Sequence, residues 1–242
     1  MINSKEAARK ITVITLSLLF VLTELFFAVK VQTVSTGDFS RYAYPSVVLA
    51  FVFSHLSLVY SVKDGWLVRA GLLVTLGADY CLVVMSPAAE TLGVSVFILV
   101  QLCYFLYILL ESDSQRINKA HIITRISLSV ASLFLPIIVL GEDADLLTVI
   151  SVLYYAQLLT NLIFSFFNPR LLIFSLGLLL FALCDLSIGL DRLADILSPT
   201  NEGSFLYLVT HTGLNNSWIF YIPSQTLISL SLIKTSRCNN GN

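Results

Sequence analysis

Apolar runs of about 20 residues recur along almost the whole chain, and each is long enough to cross a bilayer. A chain of this kind has few options, because a membrane-spanning backbone must satisfy its own hydrogen bonds within helices or a closed barrel. Of its 242 residues, 57% are hydrophobic and only 12% are charged. A soluble domain would carry about 25% charged residues. The expected fold class is all-α, a polytopic transmembrane bundle, with residues 1–242 forming a single integral membrane domain. A net charge of -1 without a dense basic cluster gives no sign of a nucleic-acid partner.

Eight helices are expected, at roughly 11–31, 44–62, 66–85, 91–111, 121–140, 146–167, 170–190 and 215–235. Pro45, Pro87 and Pro169 fall near span ends, where proline is tolerated. The longest connection, from Asp191 to Asn215, has room for an interfacial helix. With Lys5, Arg9 and Lys10 before a long apolar run, the first helix is expected to be retained and not cleaved as a signal peptide. An even helix count puts both termini on one side. Lys5, Arg9, Lys10, Lys63, Arg69, Arg116, Lys119, Arg125, Arg170, Lys234 and Arg237 then share that side, while Lys30, Arg41 and Arg192 fall opposite. Basic residues concentrate on the cytoplasmic side, so both termini are expected there, and in a bacterial source the membrane would be the plasma membrane.

Two aspartates interrupt this apolar pattern, Asp79 in the third span and Asp185 in the seventh. An ionisable side chain at membrane depth is costly and marks a functional site by default. Each is preceded at the same distance by a Gly-Leu-Leu triplet, Gly71-Leu72-Leu73 and Gly177-Leu178-Leu179. The two spans are parallel and four apart, which would fit a four-plus-four internal repeat with its site at the repeat interface. Both aspartates are expected about six residues before the outer helix ends, so they could meet in one layer. Glu24 in the first span lies at similar depth. Gln101, Tyr104, Gln157, Asn161, Tyr221 and Gln225 supply further polar groups within spans. For single amides the plain alternative is interhelical hydrogen bonding, each bond contributing about 0.6–2 kcal/mol.

Other features carry less. Cys81, Cys103 and Cys184 lie within spans and Cys238 in the tail, where small buried hydrophobes are expected in place of disulfides or a zinc site. His55 reads as a packed histidine, and His121 and His211 fall in loop or boundary regions. Trp66 and Trp218 read as interfacial anchors. No lysine lies mid-span, as a retinal protein would need, and neither a G-x-S-x-G nor an H-E-x-x-H motif is present. From the residues alone, a hydrolase, an ion-coupled or small-molecule transporter, and a non-catalytic sensor bundle all remain open.

Four short elements resemble the lysoplasmalogenase-like, YhhN-type membrane proteins. Gly77-Ala78-Asp79-Tyr80-Cys81-Leu82 is similar to the family's G-D-x-x-L, with one extra residue between Gly and Asp. Gln101-Leu102-Cys103-Tyr104 is similar to its H-x-x-Y, with Gln101 in place of the histidine. Cys184-Asp185 stands where the family has Ser-Asp, and Tyr44-Pro45 where it has Lys-Pro. Tyr221 to Ile228 follows the pattern Y-x-x-Q-x-L-I. The resemblance implies an eight-helix fold and hydrolysis of the vinyl ether bond of lysoplasmalogens. Asp79 and Asp185 would be the catalytic pair, the substrate a lysophospholipid-like amphiphile drawn from membrane lipid, and no cofactor or metal would take part. Vinyl ether cleavage needs a proton donor and a carboxylate, and a close carboxyl pair naturally shares one proton.

Overall fold

The computed structural model describes residues 65–85, 88–197 and 216–232, with isolated positions of the first span between Ile11 and Leu22. Glu24, His55, His211, Cys238 and the expected helix over 44–62 lie outside the described residues, as does most of the first span. The four-plus-four repeat, which needs both early helices, therefore also lies outside them.

Among the described residues the chain is all-helical. The helices are α1 (Trp66–Asp79), α2 (Glu90–Glu111), α3 (Gln115–Leu140), α4 (Leu146–Phe166), α5 (Leu172–Leu197) and α6 (Asn216–Leu230). The four from α2 to α5 are long and apolar enough to cross a membrane. At 1.5 Å per residue, the 22 residues of α2 extend roughly 33 Å. This is a membrane protein.

Two boundaries depart from the sequence expectation. The fifth expected helix, 121–140, starts earlier: α3 begins at Gln115, where the Ser114 hydroxyl caps it by accepting from the Ile117 N–H at 3.4 Å. His121 therefore lies within the helix and not in a loop. Its polar first turns escape a search for apolar runs, because helix can continue where water or headgroups begin. The helix expected at 170–190 runs to Leu197, which leaves Asp185 twelve residues from its end and not six. Arg192, on that extension, pairs at 2.7 Å with Asp145, whose carboxylate also caps α4 through the Thr148 N–H. That double anchor favours continued helix.

α1 packs on α2, α2 on α4, α4 on α5, α5 on α6, and α6 returns to α1. Five helices thus close a ring, and α3 lies outside it against α4. Most large apolar side chains of α3, from Ile122 to Val139, are exposed, as expected of a lipid-facing helix. Two glycines allow close approach within the ring. A Cβ on Gly71 would lie 2.4 Å from the Tyr104 ring. One on Gly177 would lie 2.9 Å from the Ile228 backbone nitrogen. Each Gly-Leu-Leu triplet thus has its own packing reason, against α2 in one case and α6 in the other.

Candidate functional site

Asp79 is the last residue of α1 and lies in the ring, buried. Immediately after it the helix widens into a π turn, Tyr80–Val84, closed by a Met85 N–H bond to the Tyr80 carbonyl at 3.2 Å. Such wide turns are rare and frequently found at functional sites. The Tyr221 hydroxyl of α6 donates to the Asp79 carboxylate.

Asp185 lies midway along α5 and is only partly buried. It accepts a 2.5 Å hydrogen bond from the Tyr154 hydroxyl of α4. Each acid is therefore held by a tyrosine from a neighbouring helix. The two pairs belong to one layer. Phe97 of α2 packs on Tyr154 at 5.5 Å and on Phe181 of α5 at 5.6 Å, and Phe181 packs on Tyr221 at 5.8 Å between ring centres. Two carboxyls in an aromatic setting can hold and release a proton with little water to compete.

The expected polar residues divide between this layer and its surroundings. Asp79 and Tyr221 meet directly, and Asp185 joins them only through Tyr154 and the Phe97 and Phe181 rings. Gln101 and Asn161 meet each other instead, the Asn161 amide donating to the Gln101 side-chain oxygen at 3.0 Å and to its backbone carbonyl at 2.8 Å. Gln157 donates to Ser129 of α3 at 2.5 Å. These bonds join α2, α3 and α4. Arg125 of α3 completes the set. Its guanidinium lies 4.5 Å from the centre of the Phe105 ring and donates to the Asn161 side-chain oxygen at 3.1 Å. Because Arg can only donate, Asn161 must turn its oxygen to Arg125 and its nitrogen to Gln101. Gln101 is then left with its Nε2 donor free, fully buried and without a partner among the described residues. Tyr104 and Gln225 are likewise buried with unpartnered polar atoms.

Sequence reasoning missed Tyr154. A tyrosine in an apolar helix reads as packing, and only a spatial neighbour turns its hydroxyl into a carboxylate partner. It also missed His121, fully buried, stacked on Phe164 at 4.4 Å and edge-on to Phe105 at 4.8 Å. Cys81, Cys103 and Cys184 are free thiols. Among the described residues no three His, Cys, Asp or Glu side chains gather to hold a metal ion.

No curated protein and no solved structure matches the chain. The profile of the YhhN family matches residues 40–232, most of the chain, and takes in all six helices and both aspartates. The chain belongs to the YhhN family.

Proposed function

We propose that this protein is a multi-pass membrane hydrolase that cleaves the vinyl ether bond of lysoplasmalogen-type lysolipids, with Asp79 and Asp185 as its acid–base pair. The observation that carries the reading is the shared layer: two carboxyls, each oriented by a tyrosine hydroxyl, with Phe97 and Phe181 between the tyrosines. Membership of the family supports the same substrate class.

The chemistry needs little else. One carboxyl protonates the alkene carbon that does not carry oxygen, giving an oxocarbenium ion at the other. The second carboxylate faces that cation and takes a proton from an attacking water. The resulting hemiacetal collapses to a fatty aldehyde and a glycerophospho-alcohol, and the proton balance returns to its start. The pairing parallels that of glycosidases, by analogy of transition state alone. Asp185 is the more exposed of the two, which supports entry of a single-chain lipid from its side of the layer. Glu24, Gln101, Tyr104, Gln157, Asn161, Tyr221 and Gln225 are proposed to bind substrate or to hold the helices that do.

The eleven-to-three distribution of basic residues supports eight spans with both termini cytoplasmic. Cysteine substitutions at Ser4 and Asn240 should resist labelling from outside intact cells; labelling of either overturns that topology.

Purified protein should release aldehyde from a lysoplasmenyl lipid without added metal. Asp79→Asn and Asp185→Asn should each lower the rate by about a hundredfold or more while leaving the fold intact. Unchanged activity in both variants sinks the acid-pair mechanism. A wild type that releases no aldehyde but drives proton-coupled uptake in vesicles is a carrier.

A further inference from the structure

One turn below the acid layer lies a second, uncharged set of groups. A Cβ on Gly65 would meet Leu232 at 2.6 Å, and Asp79 meets Tyr221 further along, so α1 and α6 run antiparallel. Gln225, four residues past Tyr221, is then level with Thr75, four residues before Asp79. Gly71 abuts Tyr104 and Gly93 abuts Leu82, so α1 and α2 are antiparallel too, and Gln101 falls at the same level. The Tyr104 hydroxyl reaches this level as well, facing Thr75.

The four residues are 0–4% exposed. Gln101 Nε2 and both polar atoms of Gln225 have no hydrogen-bond partner among the described residues, and the facing Thr75 and Tyr104 hydroxyls have at most each other. Leaving one buried polar group unpaired costs roughly 1–3 kcal/mol. Such a cluster is expensive unless something occupies it.

We propose that Thr75, Gln101, Tyr104 and Gln225 form a subsite for the free secondary hydroxyl of a single-chain glycerolipid. The Gln101 Nε2 donates to that hydroxyl's oxygen, and its hydrogen goes to the Gln225 Oε1 or the Thr75 Oγ1. Every member is neutral, which suits an alcohol and not a phosphate. The level lies roughly 6 Å from Asp79 along the helix. An ether oxygen and two glycerol carbons separate the alkenyl carbon from the secondary hydroxyl, a span of the same order. A diacyl lipid carries an ester at that position, without a donor and with added bulk, so the subsite selects lysolipids. The choice of lipid rests on the hydrolytic reading; the subsite itself does not.

Binding to the full chain in detergent separates the two. The probes are a saturated alkyl-ether lysophosphocholine, which cannot be cleaved, and its 2-deoxy counterpart, measured by calorimetry. The wild type should bind the hydroxyl-bearing lipid at least about tenfold more tightly. Thr75→Val and Gln225→Leu should weaken that lipid alone and narrow the difference, while Thr75→Ser keeps it. Thermal unfolding midpoints report whether the variants are folded. Equal affinities in the wild type, or undiminished discrimination in both folded variants, overturn the subsite. Discrimination together with no aldehyde release from a vinyl ether substrate sinks the hydrolytic reading and leaves the subsite standing.

Discussion

Tyr154→Phe removes one oxygen atom and, with it, the 2.5 Å bond to Asp185. Little packing is lost, because the ring that packs at a tilt against Phe97 remains. A hydrogen bond to a charged group contributes about 1.5–3 kcal/mol. At 1.36 kcal/mol per factor of ten, losing it from the reacting state costs about 10- to 150-fold in kcat/KM. Tyr155→Phe is the internal control. It is the next residue on the same helix, and its hydroxyl donates to the Ala182 carbonyl at 3.2 Å and not to a carboxylate. That change should leave kcat/KM within about threefold, since only a neutral bond is lost. A double-mutant cycle sharpens the comparison. Once Asp185→Asn has removed the charge, Tyr154→Phe should add less than about threefold, because coupled residues are not additive. Aldehyde release from detergent-solubilised protein, followed by hydrazone trapping, reads all four corners. If Tyr154→Phe behaves like Tyr155→Phe, or the two losses at Tyr154 and Asp185 simply multiply, the tyrosine does not act through the aspartate.

Gly177→Ala should lower the thermal midpoint, because its Cβ would meet the Ile228 and Ser224 backbones at 2.9 and 3.1 Å, and overpacking costs about 1–3 kcal/mol. Gly77→Ala, with nothing within 4 Å, should leave the midpoint unchanged or raise it, since alanine favours helix by about 1 kcal/mol. Asp145→Ala should destabilise by about 1 kcal/mol through loss of the α4 cap. Bonds from the Thr148 hydroxyl and N–H, and then Arg192, hold the Asp145 carboxyl below its ordinary value of 3.8. The cap therefore contributes fully above that value and fades as pH falls through the lower, folded one. The difference between wild type and Asp145→Ala should be constant near neutrality and shrink in acid.

Long apolar segments were legible because a bilayer imposes a length on them, and α2 and α4 fall within a residue of their expected limits. Ends that leave the apolar region were not, as α3 and α5 show: there a serine cap and an Asp145–Arg192 pair decide, and neither has a hydropathy signature. Asp79 and Asp185 stand out by cost alone. Which neighbours they meet depends on how the helices are arranged around the ring, information that pairwise spacing along the chain does not hold. Gln157 and Asn161 illustrate this. One turn apart in sequence, Gln157 meets Ser129 of α3, whereas Asn161 meets both Arg125 of α3 and Gln101 of α2.

The π turn after Asp79 has a consequence for chain length. This chain has Ala78 between Gly77 and Asp79, one residue more than the G-D-x-x-L pattern it resembles. In an uninterrupted α-helix an added residue would rotate everything beyond it by 100° and carry Leu82 and its neighbours off the face that meets Gly93. A turn that bonds i to i+5 takes up one residue more than an α turn. The π turn Tyr80–Val84, directly beside the acid, is thus a place that can take up one residue and keep the following segment in phase. Insertions and deletions in relatives should therefore cluster at this turn, where an alignment can gain or lose a residue without moving the helix on either side.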